Sequence, residues 1–246
     1  MLKGKNAIIT GARTGIGRAT VEKLASEGVN IWACAHRENE AFKSDMEQLS
    51  RMYGVWIKPV YFDLEDEAAV KAAVKNVLQE KKQVDILVNN AGVFPPLSLF
   101  TMTSIARMRS VFEVNFFSQA LISQLVSKIM MRYQTGVIVN LVSVAGLDGD
   151  VGVTAYGASK AALALSTKVW AKEFAPYGIR VNAVAPGLID THLNDHLEEG
   201  AKEALISKSG LGRLGRADEV AEAIAYLVSD KASFISGQII RVDGGM

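Results

Sequence analysis

The chain has 246 residues, of which 49% are hydrophobic and 22% charged, and its formal net charge is +1. This balance is typical of a globular protein and gives no electrostatic reason to expect binding to nucleic acid or to anionic membranes. Its longest apolar stretches are strand-sized, far short of the roughly 20 residues of a spanning helix, and no secretory signal pattern precedes the first predicted strand. We therefore expect a single cytoplasmic domain over residues 1–246.

The first predicted strand ends in a glycine-rich turn. Asn6–Thr10 reads as a short buried strand, and Gly11, Gly15 and Gly17 follow it before a helical pattern begins. A strand that turns sharply into a helix brings free backbone N–H groups close to a phosphate, and glycine permits that approach. The glycine spacing differs from the common dinucleotide fingerprint. The turn alone therefore indicates either a phosphate site or an ordinary strand-to-helix loop.

Strand-like runs recur along the chain, with amphipathic helical patterns between most of them. This alternation predicts a Rossmann-type doubly wound α/β fold, with a seven-stranded parallel sheet, helices on both faces, and ligands at the carboxyl ends of the strands. The predicted strands lie near residues 5–10, 29–35, 55–61, 84–89, 136–142, 179–184 and 238–242.

Polar and glycine residues follow these strands where the ligand crevice is expected. For each, a turn or helix-cap role is the alternative, and Asp63 is also a candidate N-cap for the next helix. The residues are Gly11, Asp63, Asn89, Gly92, Ser143 and the pair Pro186-Gly187.

Cysteine and histidine indicate neither a disulfide nor a metal site. Cys34 is the single cysteine and falls in a predicted buried strand, which favours an inert core thiol. His192 and His196 have the spacing of one helix face, but no third ligand is suggested nearby, so we expect no metal.

Tyr156 and Lys160 lie four residues apart at the start of a predicted helix, on one face. Because a neighbouring ammonium favours phenolate over phenol, we expect Lys160 to lower the pKa of Tyr156 and to ready it for proton transfer at a carbonyl or alcohol. Helices that merely bury a tyrosine and expose a lysine share this spacing. Asn115 is a polar residue in an apolar helical stretch. It is either part of a functional site or a residue that hydrogen-bonds to the helix backbone.

Together these motifs closely resemble those of the short-chain dehydrogenase/reductase family, over essentially all of the chain. Within that family the sequence is most similar to the bacterial 3-oxoacyl-(acyl carrier protein) reductases, through residues 212–215 and 237–245. The segments that carry the family resemblance are Thr10-Gly-Ala-Arg-Thr-Gly-Ile-Gly17, Asn89-Asn90-Ala91-Gly92, Asn115, Ser143, Tyr156 with Lys160, and Pro186-Gly187.

The resemblance implies an enzyme that reduces a 3-oxoacyl thioester to the 3-hydroxyacyl product with NADPH. It implies that Tyr156 protonates the carbonyl oxygen, that Lys160 lowers the pKa of Tyr156 and holds the nicotinamide ribose, and that Ser143 polarises the substrate oxygen. Asn115 would anchor a water that relays protons to Lys160. Asp63 would reach the adenine, and Ile189 and Thr191 the carboxamide and phosphates.

The resemblance also implies a set of cofactor-binding residues that runs through much of the chain. These are Gly11, Arg13, Thr14, Gly15, Ile16, Gly17, His36, Arg37, Asp63, Leu64, Asn89, Ala91, Gly92, Tyr156, Lys160, Pro186, Gly187, Ile189 and Thr191.

The end of the second strand indicates which dinucleotide is preferred. Enzymes that choose NAD usually place Asp or Glu there, and this chain has Ala35 followed by His36 and Arg37. With Arg13 in the glycine turn, these positive groups favour the 2′-phosphate of NADPH. Thr14 stands where NADP-preferring relatives often carry a basic residue, and a solvated loop role is the alternative for Arg37, so NAD remains an option.

Residues 188–211 have the amphipathic pattern of a lid over an apolar substrate. An acyl chain, a steroid, a quinone or a sugar ring each suits such a lid, and Met102 and Met108 are expected to add an adaptable surface opposite it. The apolar lid positions are Leu188, Ile189, Leu193, Leu197, Leu205 and Ile206.

The sequence also bears on the partners of the protein. Gln134 and Tyr177 stand where carrier-dependent reductases tend to have arginines, which argues against binding of an acyl carrier protein. If such a protein does bind, its candidate contacts are the basic residues Arg107, Arg109, Lys128 and Arg132.

Apolar residues on several faces of the helices at 104–132 and 154–176 favour the homotetramer that is typical of the family. The alternative is that the same residues only pack against the sheet. A non-catalytic NADPH-sensing regulator is the alternative to an enzyme.

Overall fold

A computed structural model describes residues 2–191, 200 and 206–246. Seven parallel strands form one sheet in the order β3-β2-β1-β4-β5-β6-β7. The fold class predicted from the sequence is thereby confirmed. The strands are β1 (Asn6–Ile9), β2 (Asn30–Ala35), β3 (Ile57–Tyr61), β4 (Ile86–Asn89), β5 (Gly136–Leu141), β6 (Ile179–Pro186) and β7 (Ile239–Val242).

Helices cover both faces of the sheet. Apolar side chains of α1, α2 and α7 pack with one face, and those of α3, α5 and α6 pack with the other. The two-layer burial explains why the central strands are almost continuously apolar rather than alternating. The helices are α1 (Gly15–Ser26), α2 (Glu40–Tyr53), α3 (Glu67–Gln79), α4 (Ile105–Phe112), α5 (Ser118–Tyr133), α6 (Thr154–Phe174) and α7 (Ala217–Val228).

Local chemistry fixes several helix boundaries. Asn39 accepts a hydrogen bond from Phe42 N at the start of α2, and Gly54 ends that helix in the left-handed conformation. Asp66 caps α3 by accepting from Ala68 N and Ala69 N. The N-cap of α3 is therefore Asp66, and Asp63 is not the N-cap that the sequence also allowed.

One helical segment departs from the sequence expectation. The apolar stretch around Asn115 is not plain α-helix, because Glu113–Phe117 forms a π-helical turn between α4 and α5. A π turn inserts one extra residue into the helix and re-aims the side chains that follow, and such turns are frequent at functional sites.

Cys34 is buried in β2, and burial raises its pKa to about 12. A thiol that is not ionised at neutral pH is a poor nucleophile, so the core-thiol interpretation is confirmed.

Candidate active site

A cavity of about 960 Å³ lies at the carboxyl ends of the strands. Its walls come from the segments that follow all seven strands, together with Tyr156 and Lys160 of α6. Parallel strands all end at the same edge of a sheet, so residues far apart in sequence meet there. Of the predicted site residues, all but Asn89 and Asn115 line this cavity.

The glycine turn lies at the cavity wall and leaves no space for a side chain at Gly11 or Gly17. A Cβ on Gly17 would lie 2.1 Å from the backbone oxygen of Gly11, and Gly11 and Gly15 have φ values of 65° and 55°. Thr14 precedes α1 with no capping hydrogen bond from its side chain. The first N–H groups of α1 therefore face the cavity as donors for an anion.

Thr10 and Asn90 brace this turn against the segment after β4. Thr10 Oγ1 accepts hydrogen bonds from Asn90 N and Ala91 N, both at 3.0 Å. Asn90 Nδ2 donates to Thr10 O at 2.9 Å and to Gly11 O at 3.2 Å. Both residues belong to the family motifs, but the sequence pattern predicts no role for them, because the bonds span some eighty positions.

The prediction that Asn89 borders the cofactor is not matched by its position. Asn89 is fully buried, and its Nδ2 donates to Ser123 Oγ and to Asn140 Oδ1, both at 2.8 Å. Asn89 and Asn140 are register partners on β4 and β5, so their amides meet inside the molecule. The cavity wall at this point is formed instead by Asn90, Ala91 and Gly92.

The sequence predicts that the adenosine of the cofactor binds after β2. This part of the cavity is lined by Ala35, His36, Arg37 and Asp63. His36 Nε2 lies 3.1 Å from Asp63 Oδ2. The pKa of Asp63 is lowered, first by the hydrogen bond from Glu65 N and further by His36. Asp63 is therefore a carboxylate at neutral pH, positioned as an acceptor on the wall of the cavity.

Ser143 and Tyr156 lie next to each other on the cavity wall. Ser143 follows β5, and its Oγ accepts a hydrogen bond from Ala145 N at 3.2 Å. Burial raises the pKa of Tyr156, and a hydrogen bond with Ser143 acts in the opposite direction. Because the phenol stays protonated at neutral pH, it is available as a proton donor.

Lys160 is buried on the same face of α6, where its Nζ donates a 2.7 Å hydrogen bond to Leu141 O at the end of β5. Burial lowers its pKa to about 8. Nζ lies 5.9 Å from the centroid of the Tyr156 ring. Desolvation of the phenol is the largest effect on Tyr156 and raises its pKa, so the net lowering expected from Lys160 is not observed.

Asn115 is fully buried behind the cavity wall. Its Oδ1 accepts from Val93 N at 2.8 Å, and its Nδ2 donates to Val93 O at 3.0 Å and to Ser159 Oγ at 3.1 Å. A Cβ on Gly92 would lie 3.1 Å from Asn115 Oδ1 and 3.2 Å from Lys160 Nζ. Asn115 thus fixes the chain after β4 close to Lys160, whereas a water bound to it stays a prediction.

The segment after β6 lies beside the glycine turn that follows β1. Gly187 N donates to Val242 O at 3.0 Å, and Ile189 pairs with Gly215 in an isolated bridge. A Cβ on Gly15 would lie 3.1 Å from Thr191 Cγ2. Thr191 therefore lies against the glycine turn, and its contact with the cofactor stays a prediction.

The region next to Tyr156 is mainly apolar. The ring of Phe94 packs on Tyr156 with centroids 4.5 Å apart. Met102 and Met108, expected on this side, do not line the cavity. The apolar lining next to Tyr156 comes from short loops and turns that have no periodic pattern in the sequence, so it was not predicted. These residues are Val93, Phe94, Leu97, Val144, Val151 and Val153.

The predicted lid lies largely outside the described residues, including Leu193, Leu197 and Leu205. Of its other positions, Leu188 and Ile189 line the cavity. His192 and His196 also fall outside the described ranges. Among residues 2–191, 200 and 206–246, no three His, Cys, Asp or Glu side chains are grouped to hold a metal ion. Within the same ranges no helix has the length and apolarity to span a bilayer.

Comparison with known proteins gives consistent matches over the whole chain. The family model described as enoyl-(acyl carrier protein) reductase matches residues 11–246. The chain is 39% identical over 245 residues to the 3-oxoacyl-[acyl-carrier-protein] reductase FabG of Thermotoga maritima, covering 100% of this chain and 98% of the relative. It is 36% identical over 244 residues to FabG of Escherichia coli, covering 99% and 98%.

Among solved structures, the chain matches a candidate NAD(P)-dependent gluconate 5-dehydrogenase from Beutenbergia cavernae, crystallised with NADP at low occupancy. The TM-score is 0.93 at 30% identity, covering 99% of this chain and 97% of the other. The chain therefore belongs to the short-chain dehydrogenase/reductase family, as its motifs predict. It is an NAD(P)-dependent oxidoreductase that acts on a ketone or an alcohol.

Proposed function

We propose that this protein is an NADPH-dependent reductase that converts a 3-oxoacyl thioester to its 3-hydroxyacyl product. The observation that carries the proposal is a cavity whose walls include the glycine turn, Ser143, Tyr156 and Lys160 together. The similarity to the 3-oxoacyl-[acyl-carrier-protein] reductases of Thermotoga maritima and Escherichia coli supports the substrate class.

The residues present suit a dinucleotide. The turn that a Cβ on Gly17 would fill leaves backbone N–H groups for a pyrophosphate. Bound NADPH would supply the hydride for the reduction. Its proposed contacts are the residues expected from the resemblance, with Asn90 replacing Asn89: Gly11, Arg13, Thr14, Gly15, Ile16, Gly17, His36, Arg37, Asp63, Leu64, Asn90, Ala91, Gly92, Tyr156, Lys160, Pro186, Gly187, Ile189 and Thr191.

Three features support NADPH over NADH. Ala35 offers no carboxylate to the adenosine ribose, and Arg13 and Arg37 line the same cavity. A guanidinium pairs well with a phosphate, whereas a carboxylate at this place would repel it. The Beutenbergia structure was solved with NADP.

Tyr156 would give its hydroxyl proton to the carbonyl oxygen. Its pKa is raised by burial, so the proton is held until charge develops on the substrate oxygen. Ser143, which hydrogen-bonds to Tyr156, would donate to the same oxygen and stabilise that charge. Both side chains are largely buried, which strengthens each hydrogen bond.

Lys160 would stabilise the phenolate that is left on Tyr156. With a pKa of about 8, the ammonium is mostly charged at neutral pH, and its bond to Leu141 O fixes its place. Asn115 would hold Val93 and Gly92 in position next to it, through its hydrogen bonds to the Val93 backbone.

A second substrate class is favoured by one observation. The Beutenbergia protein is a candidate gluconate dehydrogenase, so a keto sugar acid is the alternative substrate. The apolar wall formed by residues such as Phe94, Leu97 and Val153 favours the acyl thioester instead.

The decisive experiment measures NADPH oxidation with a panel of carbonyl compounds. The panel contains acetoacetyl thioesters of acyl carrier protein, of coenzyme A and of a short thiol, and also a 5-keto sugar acid, a steroid ketone and a quinone. We expect the highest kcat/KM with a thioester. Turnover of the keto sugar acid, with none for any thioester, would overturn the assignment and support the alternative.

The same panel tests carrier dependence. Arg107, Arg109, Lys128 and Arg132 remain the proposed contacts for an acyl carrier protein, and none of them lines the cavity. If the carrier binds there, its thioester should have a lower KM than the coenzyme A thioester. Equal KM values would argue that the acyl chain alone is recognised.

We further propose a homotetramer in the cytoplasm. Phe117, Leu165 and Val169 are exposed apolar side chains on α6 and at the junction of α4 and α5, where the family resemblance predicts contact between subunits. Sedimentation equilibrium should give four times the 26.5 kDa chain mass. A monomer at micromolar concentration would contradict this assembly.

A further inference from the structure

Arg241 of β7 connects two segments that both line the active-site cavity. Its Nη1 donates to Asp148 Oδ1 at 3.0 Å, and its Nη2 lies 2.7 Å from Asp148 Oδ2. Its Nε donates to Asp243 Oδ2 at 2.6 Å, and Nη2 also donates to Met246 O at 2.9 Å. One guanidinium therefore binds two carboxylates and a backbone oxygen, and its planar geometry fixes their relative positions.

The first segment is the loop at residues 147–153, between Ser143 and Tyr156. It contains neither helix nor strand, and Gly149 and Gly152 have φ values of 74° and 82°. Asp148, Gly149, Asp150, Val151 and Val153 line the cavity. A loop with so little backbone regularity depends on side-chain contacts for its shape.

Two further contacts hold this loop. Lys208 Nζ pairs with Asp150 Oδ2 at 2.7 Å, and Ser98 N donates to Gly152 O at 3.0 Å. Of the two ion pairs that the described residues give this loop, the Arg241–Asp148 pair has bidentate geometry, which makes it the more specific in position.

The second segment is residues 243–246. Met246 lines the cavity, and a Cβ on Gly187 would lie 2.8 Å from Met246 Sδ. Leu211 N donates to Gly244 O at 3.0 Å. Residues 243–246 therefore pack between the turn after β6 and the segment at 206–211, and Arg241 links them to the loop at 147–153.

We propose that Arg241 is a positioning residue that sets the shape of the substrate end of the cavity, by holding Asp148 of the loop at 147–153 next to Met246. Arg241 contacts none of the glycine-turn residues in its hydrogen-bond set, so its effect falls on the carbonyl substrate rather than on NADPH. The pKa of Asp148 is lowered, first by its hydrogen bond with Arg241, so the carboxylate is charged at neutral pH.

This inference depends on the proposed function only because the proposed function supplies the substrate for the kinetic assay. In Arg241→Met we expect the KM of the best carbonyl substrate to rise about fivefold or more, with kcat and the NADPH Kd changed less than twofold. Asp148→Ala should reproduce this effect, and the double variant should be no worse than Arg241→Met alone. Arg51→Met, which removes an exposed ion pair on α2, is the matched control.

Hydrogen exchange of the full protein gives a readout that needs no substrate. Amides of residues 147–153 should exchange faster in Arg241→Met than in the wild type, while those of β1 stay unchanged. Unchanged exchange, or an unchanged KM, overturns the proposal. If no carbonyl compound is turned over, the proposed function fails, and the exchange result still decides the role of Arg241.

Discussion

Lys160 Nζ donates a 2.7 Å hydrogen bond to the backbone oxygen of Leu141, the last residue of β5. This bond ties the helix that carries Tyr156 to the strand that leads to Ser143. The buried ammonium has a backbone carbonyl as its partner rather than a carboxylate. Its pKa therefore falls to about 8, since no opposite charge offsets the desolvation.

The pKa of Lys160 predicts the pH dependence of the reduction. Since the proposed chemistry needs the ammonium, kcat/KM should be constant below about pH 8 and should fall as the pH rises through that value. The measurement is a pH–rate profile at saturating NADPH. A profile that stays flat to pH 10 would contradict the role given to Lys160.

The same shift predicts a stability effect. Between about pH 8 and the ordinary lysine value of 10.5, the unfolded chain binds more protons than the folded one, so Lys160 makes the free energy of unfolding rise with pH across that window. Lys160→Met should remove this contribution. Urea unfolding at several pH values, compared between the two proteins, measures the difference in slope.

Replacing Tyr156 by Phe removes the proposed acid and leaves the ring that packs on Phe94. We expect turnover to fall by about 10²–10⁴-fold with the NADPH Kd within twofold of the wild type. Tyr133→Phe, at an exposed tyrosine on α5, is the matched control and should retain full activity. Wild-type turnover by Tyr156→Phe would reject the enzyme mechanism.

Gly17→Ala tests the phosphate turn. Its Cβ would lie 2.1 Å from Gly11 O, a contact that only a backbone shift can relieve. Fluorescence titration should therefore show at least about tenfold weaker NADPH binding. Gly54→Ala is the control: its φ is 66° but no atom lies within 4 Å, so stability should fall slightly while binding is retained.

Arg37→Ala tests cofactor choice. Loss of a charge-assisted bond to the 2′-phosphate should raise the KM for NADPH by about tenfold or more and leave the KM for NADH unchanged. Arg13→Ala should act in the same direction, since Arg13 lines the same cavity. Equal effects on both cofactors would show that Arg37 does not recognise the phosphate.

The order of elements and the family motifs could be predicted because both depend on local patterns. Each predicted strand overlaps an observed one, with bounds that differ by at most two residues. Asn115 was singled out, but the π-helical turn that carries it was not, since an inserted residue leaves no periodic signature in an apolar stretch.

The sequence by itself therefore determined the doubly wound fold, the glycine turn and the identity of the residues that meet at the strand ends, because hydrophobic periodicity and backbone requirements act over a few residues. Only the tertiary structure decided that Asn89 points into the core while Asn90 braces the turn, and that Arg241 reaches Asp148, 93 positions away. It also decided that burial, rather than Lys160, dominates the pKa of Tyr156. These outcomes depend on strand register and desolvation, which arise only when distant segments pack together.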